Sequence, residues 1–278
     1  MTSPDPLPTI AFFGSTGGCT LHCLVLALQA GYKCNAIVRT PEKLTTLLAP
    51  YNLPAPALKN LHIIQGSATD AAAVRTTLLA PDQTRGPSAP KTVDLIISGI
   101  GSKPNFSNLL HPTLENPTVC QDGMRTLLAT LQALQNENEV HGKPKLAVIS
   151  TTGVDSKRDV PVMMLPLYNW MLKVPHADKK AMEAMILADA ALGAGRALAS
   201  YLVVRPSFLV EGKDKKVRVG TEEEPAVGYG ISRSEVGRWI FENAVLAFDG
   251  PVQVKEKVKG MGTGWAGGYW GRLVSITW

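Results

Sequence analysis

Apolar residues in this chain fall into short continuous runs, separated by longer stretches in which they recur every three or four positions. Five of the runs read as strands: "TIAFF" (9–13), "KCNAIVR" (33–39), "LHIIQG" (61–66), "VDLIISGIG" (93–101) and "KLAVIS" (145–150). Helical stretches lie between them. "CTLHCLVLALQA" stops at Gly31, a natural C-cap. "TPEKLTTLLA" opens on Thr40 as N-cap with Pro41 in the first turn, and "DAAAVRTTLLA" (70–80) is capped by Asp70. "TVCQDGMRTLLATLQAL" (118–134) is a long helix, and "PDQTRGPSAP" is a breaker-rich loop. Past residue 200 come a strand in "YLVVRPSFLV", a helix in "ISRSEVGRWIFENAVLAF" and a last strand, "RLVSIT". The glycine- and tryptophan-rich stretch from Asp249 to Arg272 reads as irregular.

Strands alternating with helices at this spacing predict right-handed βαβ units, and so an α/β fold with a doubly wound parallel sheet. Runs such as "LIIS" and "AVIS" are apolar throughout, as suits a sheet covered on both faces. The expectation is a single domain over residues 1–278, with a small C-terminal substrate-side region: residues 156–175 and 205–278 contribute that side.

The first strand runs directly into "FFGSTGG", which opens the first helix. That context turns a weak glycine pattern into a dinucleotide-binding one and makes the predicted sheet Rossmann-type. Gly14 permits the tight turn, and Gly17 lets the backbone approach a pyrophosphate. Ser15, Thr16, Gly18 and Cys19 complete the loop, with backbone N–H groups facing the anion at the positive end of the helix dipole. Thr20 stands where a third glycine would complete G-x-x-G-x-x-G; a small threonine could allow the same helix–strand packing less well. The alternative is a purely structural glycine turn.

The end of the second strand discriminates between nicotinamide nucleotides, because an acidic residue there would hold a ribose 2′-hydroxyl. Here "AIVRTPEKL" places Arg39 at that spot, with no carboxylate until Glu42. A guanidinium suits a 2′-phosphate, so NADP (NADPH) is expected over NAD, against the alternative of a solvated surface arginine. "GSATD" brings Ala68 and Thr69 toward the adenine. "SGIGS" brings Ser98, Gly99, Ile100 and Gly101 beside the nicotinamide ribose.

The stretches "FFGSTGGCT", "AIVRTPEKL", "ISTTGVD", "VPHADKKAMEAMI", "VVRPSFLVEG" and "ISRSEVGRWIFENA" run in order over nearly the whole chain. Together they resemble an atypical short-chain dehydrogenase/reductase of the NAD(P)H-binding, NmrA-like and biliverdin-reductase-B-like branch. The resemblance implies a Ser or Thr after the fifth strand and a Tyr-x-x-x-Lys on the next helix, with tyrosine as proton donor and lysine on the nicotinamide ribose. "ISTTG" supplies Ser150, Thr151 and Thr152, but no Y-x-x-x-K follows. Tyr168 has Leu172 at the fourth position after it. His176 has Lys180 there, so the resemblance puts His176 in the tyrosine's place, with Lys180 or Lys179 on the ribose. The alternative is that His176 only caps the helix. The resemblance also places Pro206 and Ser207 beside the nicotinamide. Glu183, four past Lys179, reads as a structural i,i+4 partner. "VPVMMLPLYNWML" (160–172) either lines an apolar pocket or belongs to the core.

Composition adds exclusions. With 45% hydrophobic and 18% charged residues, 278 residues can bury a sizeable core. No run is long enough to cross a bilayer, and "MTSPDPLPTIAFFG" lacks a secretory signal's basic start. Cys19, Cys23, Cys34 and Cys120 form no metal-ligand or disulfide pattern and suit a reducing, cytoplasmic setting, with Cys19 and Cys23 read as buried small residues. The net charge of +5 suits an anionic ligand. The basic run "KDKKVR" (213–218) reads as a solvated loop, and no aromatic interleaving suggests nucleic acid. The leading function is an NADP(H)-dependent oxidoreductase acting on a small, largely apolar carbonyl or conjugated compound. An NADP-sensing regulatory protein and a non-redox isomerase or lyase stand as alternatives. No oligomeric state is indicated.

Overall fold

The computed structural model describes residues 7–80, 91–102, 104–105, 113–136, 142–154, 157–212, 215–248 and 268–278. The loop expected at 81–90 and most of the irregular Asp249–Arg272 stretch lie outside the described residues, as do Lys213 and Asp214 of the basic run.

Eight strands form one sheet: β1 (Ile10–Phe13), β2 (Cys34–Val38), β3 (Leu61–Gln65), β4 (Leu95–Ser98), β5 (Lys145–Ile149), β6 (Ser200–Pro206), β7 (Arg218–Gly220) and β8 (Arg272–Thr277). Their order is β3-β2-β1-β4-β5-β6-β8-β7. All pairings are parallel except β7 with β8. The strand order reverses between β1 and β4, so a crevice opens beyond their carboxyl ends, where such sheets bind ligands.

Besides a five-residue helix at Ala55–Lys59, the helices are α1 (Gly18–Gln29), α2 (Pro41–Leu48), α3 (Ala71–Leu78), α4 (Val119–Asn136), α5 (Leu165–Met171), α6 (Lys173–Ala191) and α7 (Arg233–Ile240). Alternate strand residues serve opposite faces. Phe12, Ile97 and Val204 pack with Leu24, Leu28, Val236 and Ile240 from α1 and α7. Phe13, Ile96 and Val148 pack with Val74, Leu127, Leu131 and Ile186 from α3, α4 and α6. The apolar strand runs are thus explained by cover on both sides.

Three contacts were not legible in the sequence. A Cβ on Gly99 would overlap the Thr20 hydroxyl, so the room usually left by a third glycine on α1 is left instead by a glycine just past β4. Gly237 of α7 lies so close to α1 that a Cβ there would come 2.6 Å from His22 Cβ. Arg205 on β6 donates to both carboxylate oxygens of Glu183 on α6, at 3.1 and 2.6 Å, with both side chains buried. Glu183 therefore pins α6 to the sheet across the core rather than pairing with Lys179 along its own helix.

In the basic run, Lys215, Lys216 and Arg218 are exposed; the run leads into β7, where Arg218 donates to the carbonyls of Val227 and Trp278, and Lys215 lies over the Trp278 ring at 4.2 Å. Cys19, Cys23, Cys34 and Cys120 are free and buried. Burial pushes the Cys19 thiol up to about 12 and that of Cys120 to about 11, so neither is a thiolate at neutral pH. Among the described residues no helix is long and apolar enough to cross a membrane, and no His, Cys, Asp and Glu group could hold a metal ion.

Candidate functional site

The crevice begins at the glycine turn. Gly14 has φ +76°, and a Cβ on it would lie 2.6 Å from the carbonyl oxygen of Gly99. The backbone of the first turn is thus pressed against the end of β4. Gly17 is the N-cap of α1 and offers no side-chain cap, and no acidic residue occupies the first helical turn. The N–H groups at Gly18 and Cys19 are left to meet an outside acceptor. Ser15 in the loop, Ser98 ending β4 and Ser150 just past β5 are buried, and their hydroxyls have no hydrogen-bond partner among the described residues. Buried hydroxyls are normally satisfied, so three without partners at the carboxyl ends of adjacent central strands fit a polar ligand. Thr16 is half-buried and Gly17 exposed at the rim.

On the adenosine side, Arg39 follows β2 directly and is exposed, with no hydrogen bond or ion pair among the described residues. Thr69 is exposed and shares a hydrogen bond of 2.9 Å with Ser67. Ala68 is half-buried, 3.5 Å from where a Cβ on Gly123 of α4 would stand.

On the nicotinamide side, the register of α6 is set by Asp178. Its carboxylate, 2% exposed, accepts from the backbone N–H groups of Cys120 and Gln121, both at 2.9 Å, and so caps α4. This turns Lys179 inward. Its ammonium donates to the carbonyls of Ile100 at 2.9 Å and Ile149 at 2.7 Å, bridging the ends of β4 and β5. Lys180 is exposed. Of the two candidate lysines, the structure brings Lys179 into the crevice and leaves Lys180 outside. Gly101 is exposed and Ile100 buried. Pro206 ends β6 and accepts from Thr152 N–H at 3.1 Å. Ser207 lies beside it, but its hydroxyl donates to Thr277 at 2.8 Å.

Thr151 is half-buried, its hydroxyl donating to the Thr152 carbonyl at 3.2 Å. Thr152 is buried and 3.4 Å from the Tyr168 hydroxyl, and the Tyr168 ring lies 5.4 Å from that of His176. Both rings crowd Gly153, where a Cβ would come 2.8 Å from each. Sequence reasoning set Tyr168 aside because its lysine register fails; the fold brings it to the same corner from α5. The segment between β5 and α6 is split. Val160 and Tyr168 are buried, whereas Val162, Met163 and Trp170 are exposed, Met163 by 83%.

His176 Nε2 is buried with no partner among the described residues. Burial pushes its imidazole down from 6.5 to about 4, so it is uncharged at neutral pH. Between pH 6.5 and 4 only the unfolded chain takes up this proton, so stability is full above 6.5 and falls as pH drops through that window. Urea melts should show the wild type losing about 2 kcal/mol more than His176→Phe over this range, allowing for the ring's partial exposure. Parallel curves would place the ring in solvent.

A profile of the NAD(P)H-binding family matches residues 14–245, from the glycine turn to five residues past α7. The chain belongs to this family. As an NAD(P)H-binding protein it is similar to "Reductase pytE" of Aspergillus terreus, 50% identical over 247 residues that span 86% of this chain and 92% of that one. It is also similar to "Oxidase pynE" of Aspergillus niger, 39% identical over 278 residues, spanning 90% and 97% of the two chains. In fold it matches a Rossmann-fold NAD(P)-binding family protein from Shigella flexneri, with TM-score 0.55 and 16% identity over 98% of this chain and 94% of the other. The protein is an NAD(P)-dependent oxidoreductase, in agreement with the resemblance read from the sequence.

Proposed function

We propose that this oxidoreductase uses NADPH to reduce a small, largely apolar carbonyl or conjugated compound. The observation that carries the reading is Lys179. Two of its three N–H donors hold Ile100 and Ile149 together, which sets the ammonium between those strand ends, within reach of a ribose hydroxyl bound there. The bound nicotinamide supplies the hydride. The chain's own residues hold, orient and assist. Gly14, Ser15, Thr16, Gly17, Gly18 and Cys19 take the pyrophosphate, while Ser98, Gly99 and Ser150 line the floor. The Thr151 hydroxyl turns from the Thr152 carbonyl toward the substrate oxygen. His176, uncharged, polarises that oxygen as a neutral N–H donor rather than as an imidazolium. Residues 156–175 and 205–278 supply the substrate side, and exposed Val162, Met163 and Trp170 favour an apolar guest. Four free, buried thiols suit a cytoplasmic setting.

The test is consumption of NADPH, followed by its absorbance, against a panel of quinones, flavins, aldehydes and enones. Sustained turnover with an apolar member is expected; tight binding without consumption across the panel would sink the substrate reading. The preference for NADPH rests on the unpartnered Arg39. Arg39→Ala should erase most of the gap between NADPH and NADH affinities, since a charge-assisted phosphate contact is worth roughly 1.5–3 kcal/mol, about ten- to a hundredfold. Equal affinities of the wild type for the two nucleotides would refute it.

A further inference from the structure

Arg233 stands at the first position of α7, following Ser232 as N-cap. A cation in the first turn of a helix is opposed by the helix dipole, so this position needs a reason. Its surroundings supply one. The Arg233 side chain lies across the start of α1: a Cβ on Gly18 would come 2.6 Å from Arg233 Cδ and 3.2 Å from its Cβ. Its charge is the strongest one acting on the Cys19 thiol, after burial. Two helix N-termini and a guanidinium therefore converge on the glycine loop. The acid in the first turn of α7 is already committed. Glu235 is fully buried and accepts from Lys215 N–H at 2.9 Å, from Arg238 at 3.1 Å and from the Trp278 indole. The counter-charge is Glu211, whose carboxylate accepts from Arg233 Nη1 at 2.7 Å with its side chain 79% exposed. In the same loop the buried Ser15 hydroxyl has no partner among the described residues.

We infer that Arg233 is a pyrophosphate-binding residue held in reserve by Glu211: when a dinucleotide enters the glycine loop, the guanidinium exchanges the exposed carboxylate for the phosphate oxygens. The exchange is favourable because an exposed ion pair is worth little, while a forked guanidinium on a phosphate at two helix N-termini makes charge-assisted bonds. Glu211 keeps the loop's positive charge neutralised when no nucleotide is bound. The assignment rests on the reading that the glycine loop takes the pyrophosphate. It differs in kind from that of Arg39, because the pyrophosphate is common to both nicotinamide nucleotides.

The experiment is a fluorescence titration of the intact protein with NADPH and with NADH, with thermal melts of each variant without nucleotide to confirm folding. Arg233→Ala should weaken both nucleotides alike, by about ten- to a hundredfold. Arg233→Lys should recover part of the loss, since it restores charge without the fork. Glu211→Gln should tighten both by about two- to fivefold, as the competing ion pair is removed. Unchanged affinities in Arg233→Ala would overturn the assignment. So would a loss confined to NADPH, which would move Arg233 to the 2′-phosphate, and so would a Glu211→Gln variant that binds no more tightly than the wild type. A wild type that binds neither nucleotide would overturn the glycine-loop reading, and this assignment with it.

Discussion

Gly14→Val is expected to abolish binding of both nicotinamide nucleotides. Gly14 sits at φ +76°, in the left-handed region where a β-branched residue is strained. Its missing Cβ is also displaced by backbone: the Gly99 carbonyl oxygen would be 2.6 Å away and the Ile100 nitrogen 3.0 Å. These are backbone atoms just past a central strand and cannot rotate aside as a side chain can. The loop would have to open, carrying the N–H groups of α1 away from any phosphate. Gly17→Val should do less, because its Cβ would meet Gly14 O at 3.2 Å, a distance that a small shift relieves. Fluorescence of the reduced nicotinamide measures both. A folded Gly14→Val protein that still binds NADPH with wild-type affinity would place the dinucleotide elsewhere.

Lys179→Met should lower kcat/KM by roughly a hundredfold or more, the scale expected when a reactant is misplaced by about an ångström. The substitution removes the ammonium that ties Ile100 to Ile149 and is assigned to the ribose. NADPH affinity should weaken with it. Lys180→Met, one position along on the exposed side of α6, should leave both quantities within about twofold, as surface changes usually do. Steady-state kinetics and a nucleotide titration on the two variants separate these outcomes. Equal losses in both would mean that the helix sits in another rotation when it works.

The alternation of strands and helices was legible because both kinds of element carry their own period. The ends of β1 to β5 fall within three residues of the ends of the apolar runs that predict them. The glycine turn was legible because its demand is local: a left-handed residue and an uncapped helix. The choice between Lys179 and Lys180 was not. One residue along a helix is a rotation of about 100°, and what fixes that rotation is Asp178 capping a helix nearly sixty residues away. Tyr168 was passed over for a similar reason. Its distance from lysine along the chain is wrong, while its distance from Thr152 in space is short. The charge state of His176 follows from burial, which no spacing rule reports. Arg205 looked like part of an apolar strand and Glu183 like a partner for Lys179 along its own helix, because each is acceptable inside only in the company of the other.

Thr20 and Gly99 divide between two segments a requirement that is usually met within one. Volume added on α1 is volume withheld just past β4, and the hydroxyl fills the space that a side chain there would need. The two positions should therefore covary. Gly99→Ala is tolerable only alongside Thr20→Gly, and the double variant should recover what the single one loses. It follows that the signature of this nucleotide site is a composite of residues nearly eighty apart, and that a search for three evenly spaced glycines would pass over chains built on the same exchange.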